Sequence, residues 1–362
     1  ISLKSRNLFH EKKMTEHLKQ DNSLKSLLAE KPWLLADGAT GTQLFEMGLL
    51  SGESPELWNE SKPNLIQNLY QNSIDSGCDL FLTNSFGSNA SRLKLHGAEK
   101  KAFSLSKNSA ELGREASDRA NRTVVVAGSM GPTGRILSPI GDLTEVLAVE
   151  IFHEQAEGLK AGGADVLWIE TISAKEEFIS AVKAAELADM LWCGTMSFDS
   201  SGRTMMGFTS KQMTALIKSL DKNLLAYGAN CGVGSSDLLR TLLGFEETEH
   251  ALIAKGNAGI PKYQNGQIHY DGTPELMADY ACLARDSGAK IIGGCCGTTP
   301  RHLRKMKDAL ENRLAKTTPT HKQIIQCLGA FSSQHDGTEN VTQTRRISRR
   351  EKIKIKKLNQ NQ

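Results

Sequence analysis

The stretch GGADVLWIET, residues 162–171, holds a helix exit, an apolar strand and an acid in close succession. Gly163 suits the left-handed residue that ends a helix, and the small Ala164 turns the chain onward. Val166 to Ile169 is a continuous apolar run rather than an alternation, as expected of a parallel strand buried on both faces. Glu170 then sits where that strand ends. The same junction recurs at Ser76-Gly77-Cys78-Asp79 and at Ser287-Gly288-Ala289-Lys290.

Working outward, eight strand-like runs follow one another, at 33–37, 79–84, 123–129, 165–170, 191–198, 224–230, 251–256 and 289–294. Helical patterns lie between them. PNLIQNLYQNSIDSG opens on Pro63, suited to a first turn, and repeats apolar residues at Leu65, Ile66, Leu69, Tyr70 and Ile74. SAKEEFISAVKAAELA has Ser173 as its expected N-cap, followed by acids that favour the helix dipole. A strand–helix unit repeated eight times predicts an α/β fold, a (β/α)8 TIM barrel. A doubly wound open sheet is the competitor, but eight units in about 280 residues suit closure, given the ~250 residues typical of such barrels. The expected organisation is a single barrel domain over 23–314, a poorly ordered extension over 1–22 and a basic, disordered tail over 315–362.

Composition narrows the classes of function. With 39% hydrophobic and 23% charged residues the chain reads as an ordinary globular protein. No apolar run approaches the ~20 residues of a membrane span, and ISLKSRNLFHEKK at the start lacks a secretory apolar core. Met14 is a candidate start. Seven cysteines, an odd count without a secretory signal, predict a reducing compartment, the cytoplasm. The net charge of +3 hides an asymmetry: residues 313–362 carry 11 Lys/Arg against 3 Asp/Glu. The ending RRISRREKIKIKK could be a nucleic-acid arm, but no aromatic follows Phe331 and the body is acidic, so a solvated tail is the favoured reading.

In such barrels chemistry gathers where strands end. The strand-end segments here are DGATGT, TNSFGSN, GSMGPTG, ET, SFD, NCGVGSS, GNAG and GGCCGTTP. Cys231 therefore arrives at the rim from strand 6, and the adjacent Cys295 and Cys296 from strand 8. Three thiolates with one open position suit a catalytic zinc ion. Neighbouring side chains on a strand point to opposite faces, so Cys295 and Cys296 can share one ion only if the chain has left strand geometry. Gly293, Gly294 and Gly297 supply that freedom. On spacing alone, buried packing thiols or a strained vicinal disulfide stay open. Cys78, Cys193 and Cys282 read as packing residues.

DGATGT, TNSF, ET, ANCG and GGCCGTTP, in this order and at these strand ends, resemble the homocysteine S-methyltransferase family, over roughly residues 24–312. The resemblance implies a zinc-dependent barrel that methylates L-homocysteine to methionine. It implies Cys231, Cys295 and Cys296 as zinc ligands, with the homocysteine thiolate in fourth place. It also implies Asp37 and Glu170 near the substrate amino group, with Gly38, Ala39 and Thr42 holding its polar end. Asn84 is a further candidate contact, and it could equally tie loops together, as could Asn230.

The wording LLADGATGTQLF, PELWNE, SRLKLHGAE and TMMGFTS is most similar to a bacterial betaine-dependent branch. A betaine donor would call for aromatic faces around its ammonium, and Trp58 and Phe86 are the candidates, with Phe45 behind them. Thr171 stands where the animal betaine enzymes carry tyrosine, so betaine recognition would be built differently here. S-methylmethionine is the second donor, and a methyltetrahydrofolate type working with a partner protein the third. No membrane or nucleic-acid partner is expected of the enzyme, and an oligomer is possible. The non-enzymatic alternative is a zinc-bound barrel with a nucleic-acid-binding tail; it needs a fourth protein ligand, and His302, the nearest histidine, is expected to face outward.

Overall fold

The computed structural model describes residues 23–334, apart from positions 200, 221, 265 and 266. Eight strands run parallel in one sheet. They are β1 (Leu34–Leu35), β2 (Leu80–Leu82), β3 (Val125–Met130), β4 (Val166–Ile172), β5 (Trp192–Met196), β6 (Leu224–Cys231), β7 (Ala251–Gly256) and β8 (Ala289–Gly294). Neighbours follow sequence order from β2 to β8, and β8 then pairs with β1. The ring closes between β1 and β2 through an isolated parallel bridge, Ala36 to Leu80. This is the (β/α)8 barrel that the repeated junctions predict. The glycines of those junctions adopt the left-handed conformation, with φ of 88° at Gly77, 88° at Gly163 and 94° at Gly288.

The closing seam explains why β1 and β2 are shorter than the apolar runs around them. Part of the ladder there is replaced by carboxylates. Asp79 accepts the Leu35 N–H at 2.9 Å, and Asp37 accepts the Leu82 N–H at 2.9 Å.

Every second residue of the strands points inward. Leu34, Leu80, Ala127, Trp168, Cys193, Ala226, Ile253 and Ile291 pack into one interior cluster. Helix α1 (Ser23–Glu30) places Leu24 and Leu27 in that cluster and so plugs the N-terminal end of the barrel. The other strand faces bury against an outer layer: α2 (Pro63–Asp75), α3 (Ala102–Asp118), α4 (Glu145–Ala161), α5 (Lys175–Leu187), α6 (Ser210–Ile217), α7 (Ser235–Leu242), α8 (Pro274–Asp286) and α9 (Pro300–Asn312). Pro63 opens α2 as expected. Ser173 is not the cap of α5; Ala174 holds that place, without a side-chain bond, and the early acids Glu176 and Glu177 remain. Cys78, Cys193 and Cys282 are buried among apolar neighbours, as their packing role requires.

Two features depart from the sequence reading. An antiparallel hairpin, Pro261–Gln264 with Gln267–Tyr270, is inserted between β7 and α8. The span 315–334, expected to begin a disordered tail, instead carries α10 (His321–Leu328). A Thr320–Gln323 capping box starts α10, and Ile324 is fully buried on the barrel wall. The chain beyond it clasps α7: Asp237 accepts the Ser332 N–H at 3.0 Å, and the Arg240 guanidinium lies 4.4 Å from the Phe331 ring centre. Basic composition hid an apolar stripe long enough to dock. Residues 1–22 and the segment RRISRREKIKIKK lie outside the described residues. Among the described residues no helix is long and apolar enough to cross a membrane.

Candidate active site

Cys231 ends β6 with φ of 62°, and Gly232 follows at 73°. Two successive left-handed residues turn the chain sharply off the strand, a conformation a non-glycine residue adopts only at some cost. Past β8, the Cys295 N–H donates to the Gly256 carbonyl at 2.7 Å, and the Thr298 N–H turns back onto the Cys295 carbonyl at 3.1 Å. Gly297, at φ of 76°, completes that turn against the Tyr270 ring, where a β-carbon would stand 2.4 Å from it. Cys295 and Cys296 have thus left strand geometry, as a shared ligand would require.

The three Sγ atoms lie within 4.8 Å of one another, with Cys231 and Cys296 at 4.0 Å. Thiolates placed tetrahedrally around zinc, at about 2.3 Å from it, stand about 3.8 Å apart, so this trio fits such an ion with little movement. Asn257 braces the two loops, donating to the Gly232 carbonyl at 2.8 Å and accepting the Cys296 N–H at 3.1 Å. Tyr270, carried in by the hairpin, hydrogen-bonds the Cys296 thiol. Without a cation the trio holds its protons. Its hydrogen bond with Cys295 and burial push Cys231 up to about 12, and the bond with Cys231 and burial push Cys296 up to about 11. For Cys295 the bond from Cys231 favours the thiolate, but contact with Cys296 and burial outweigh it, and the pKa is raised.

Below the thiols, the inward positions of β3 to β7 turn polar. They are Ser129, Glu170, Thr195, Asn230 and Lys255. Ser129 donates to Glu170 at 2.5 Å, and burial raises the Glu170 pKa, opposed by Lys255 and then Ser129. Lys255 reaches Asp37 at 2.5 Å. Burial works against its charge, but Asp37 and Glu170 outweigh that and its pKa is raised. Asn230 accepts the Thr171 N–H at 3.0 Å and the Thr195 hydroxyl at 2.7 Å, pinning Thr171 at φ of 60°.

A cavity of about 260 Å³ opens over this floor. It brings together the three cysteines, Gly38, Ala39, Thr42, Asn84, Phe86 and Glu170. Ser129, Thr171 and Lys255 line it too, and of these the sequence singles out only Thr171. Some predicted contacts are already engaged. The Ala39 N–H donates to the Thr298 carbonyl at 3.1 Å, and Thr42 accepts the Gly297 N–H at 3.2 Å. The Asn84 side chain donates to Pro55 and Asn59 and so ties loops together. Asp37 lies outside the cavity lining, held by Leu82 and Lys255.

Trp58 is not brought to the cavity. It is 3% exposed among Leu44, Ile66 and Tyr70, and the Lys62 ammonium already sits 3.7 Å from its ring centre. Phe45 is 56% exposed, away from the lining. His302 does not face outward: its ring bonds Thr299 at 2.8 Å and the Gly272 carbonyl at 2.9 Å, capping α9. A larger hollow of about 800 Å³ lies at the opposite end of the barrel, between α1 and the starts of β6 and β7, and none of its lining residues is a cysteine.

A parallel barrel with a cluster of three thiols over a charged, buried floor defines a class of enzymes that act at strand ends. Residues 34–310 match the family described as homocysteine S-methyltransferase, and the chain belongs to that family of methyltransferases. It is 27% identical over 312 residues to methionine synthase of Mycobacterium tuberculosis, covering 81% of this chain and 26% of that protein. The Mycobacterium leprae methionine synthase is 28% identical over 325 residues, again with 26% of its length covered. The chain thus spans about a quarter of these relatives. Among solved structures, the homocysteine methyltransferase MmuM from Escherichia coli is similar in its oxidized form, with 25% identity, a TM-score of 0.65 and coverage of 79% of this chain and 99% of that one. Its metallated form gives a TM-score of 0.66 at 24% identity, a likeness of fold.

Proposed function

We propose that this protein transfers a methyl group to the sulfur of L-homocysteine, giving methionine, at a zinc ion held by Cys231, Cys295 and Cys296. The observation that carries the reading is the trio of sulfurs within 4.8 Å at the cavity wall. Zinc bound there would take the substrate sulfur as its fourth ligand and keep it a thiolate at neutral pH, where a free thiol is mostly protonated. The residues of the chain do the rest. Glu170, steadied by Ser129, offers a carboxylate oxygen to the substrate ammonium. Asn230 and Asn257 hold the loops that carry Thr171 and the cysteines, so little reorganisation is left for the reaction.

The donor carries its methyl on a cationic centre: betaine first, yielding dimethylglycine, then S-methylmethionine. Phe86 is the one of the three candidate aromatics in the cavity lining, and it supports a single cation–π contact rather than a cage. A methyltetrahydrofolate route with a partner protein is the third reading, and the match to a quarter of two methionine synthases is what supports it. Zinc-loaded protein should form methionine from homocysteine when the donors are supplied in parallel. Methionine from betaine alone would support the first donor; none from any donor, with metal content intact, would overturn the proposal.

A further inference from the structure

Lys255 is the one cation among the residues that line the cavity, and its side chain is only 3% exposed. An ammonium has three N–H donors. One goes to Asp37, and the ammonium also lies 5.8 Å from the Trp168 ring centre, but no oxygen or nitrogen acceptor among the described residues takes the other two. Desolvated donors left without acceptors are costly, and they mark a place where something else accepts. Glu170 shows the complementary shortage. One oxygen takes the Ser129 hydroxyl, and the other has no donor among the described residues. Both groups open onto the cavity that holds the three thiols. The backbone N–H of Ala39, an alternative carboxylate donor, is already given to Thr298.

We infer that Lys255 is a specificity-determining residue that receives the α-carboxylate of the thiol substrate, so that Lys255 and Glu170 together read a zwitterion. The inference rests on the acceptor reading above and adds to it the group that recognises the acid end. It explains why a buried lysine is kept beside the thiol cluster. Its pairing with Asp37 keeps the ammonium charged and fixes it at the cavity floor, while two donors stay available.

Calorimetry on the zinc-loaded full chain tests this without any methyl donor. The probes are homocysteine and 3-aminopropane-1-thiol, which keeps the thiol and amine but lacks the carboxylate. Wild-type protein should bind homocysteine roughly 10–100-fold more tightly than the analogue, the size of a charge-assisted hydrogen bond. Lys255→Gln should erase that preference while changing the affinity for the analogue by less than about threefold. Equal losses for both thiols, or no loss for either, would overturn the inference. If neither thiol binds the zinc-loaded wild type, the acceptor reading falls and this one with it. Should Lys255→Gln fail to fold because Asp37 is left unpaired, the double variant Asp37→Asn/Lys255→Gln removes both buried charges: a lost carboxylate preference with unchanged analogue affinity supports the inference, and a retained preference opposes it.

Discussion

Between β6 and β7 the backbone ladder runs unbroken through six registered pairs, from Ala226–Ala251 to Cys231–Gly256, and it delivers Cys231 to the rim as its last rung. Between β1 and β2 the ladder is an isolated bridge, and the carboxylates of Asp37 and Asp79 accept the strand amides beside it. The thiol side is therefore held by backbone geometry, and the closing seam by charged side chains. A barrel needs every strand paired, but the two halves meet that need differently. The half that must place sulfurs precisely enough for a small ion is the half built from ladder.

That contrast can be broken at several points. Cys295→Ser should remove bound zinc and lower methionine formation by more than about 10³-fold, while the cooperative unfolding of the barrel persists. Metal analysis after dialysis, the transfer assay and a denaturation curve check it; full zinc content in the variant would refute the ligand assignment. Acid should act on the same side. Cys231 and Cys296 bind protons up to about 12 and about 11, so metal entry must displace them. Affinity for zinc should fall as pH falls, by up to roughly 10³-fold per unit if three protons leave together. Chelator competition between pH 6.5 and 8 measures the slope, and a flat profile would contradict three thiol ligands.

Asp37→Asn attacks the other half. It leaves the Lys255 ammonium buried without its partner, and breaking such a pair costs about 3–5 kcal/mol of stability. Urea unfolding should record that loss, while folded protein still binds one zinc per chain. If zinc content drops in step with stability, the two halves are not separable. The smallest effect is expected at Asn257→Ala, which removes the brace between the cysteine loops. Zinc affinity should weaken by roughly 10–100-fold, as when an outer hydrogen bond to a ligand is lost. Unchanged affinity would mean that the ladder alone sets the thiol positions.

The fold was legible because its evidence is local. A glycine that turns a helix into an apolar strand needs only four residues to declare itself, and φ at Gly77, Gly163 and Gly288 agrees. The cysteines were legible for a similar reason, since a vicinal pair among glycines is hard to read as strand. Lys255 was not, because its meaning depends on Asp37, 218 positions away. The signal available was parity: Lys255 follows the buried Ile253 by two, so it had to point into the barrel. Ser129 and Asn257 escaped in the same way. Trp58 was misplaced because an aromatic in a rim segment fits a loop core as well as a ligand wall, and only packing with Leu44 and Ile66 decides between them.

The clasp formed by α10 and the residues after it bears on how this barrel could be excised or transplanted. A cut at residue 310, where the family match ends, would strip Ile324 from its socket and take Ser332 away from Asp237 on the helix that follows Cys231. The outer wall would be left with an uncovered apolar patch, and the helix that follows one of the sulfurs would lose a hydrogen-bonded anchor. Any minimal version of this domain should therefore be drawn to include residue 334.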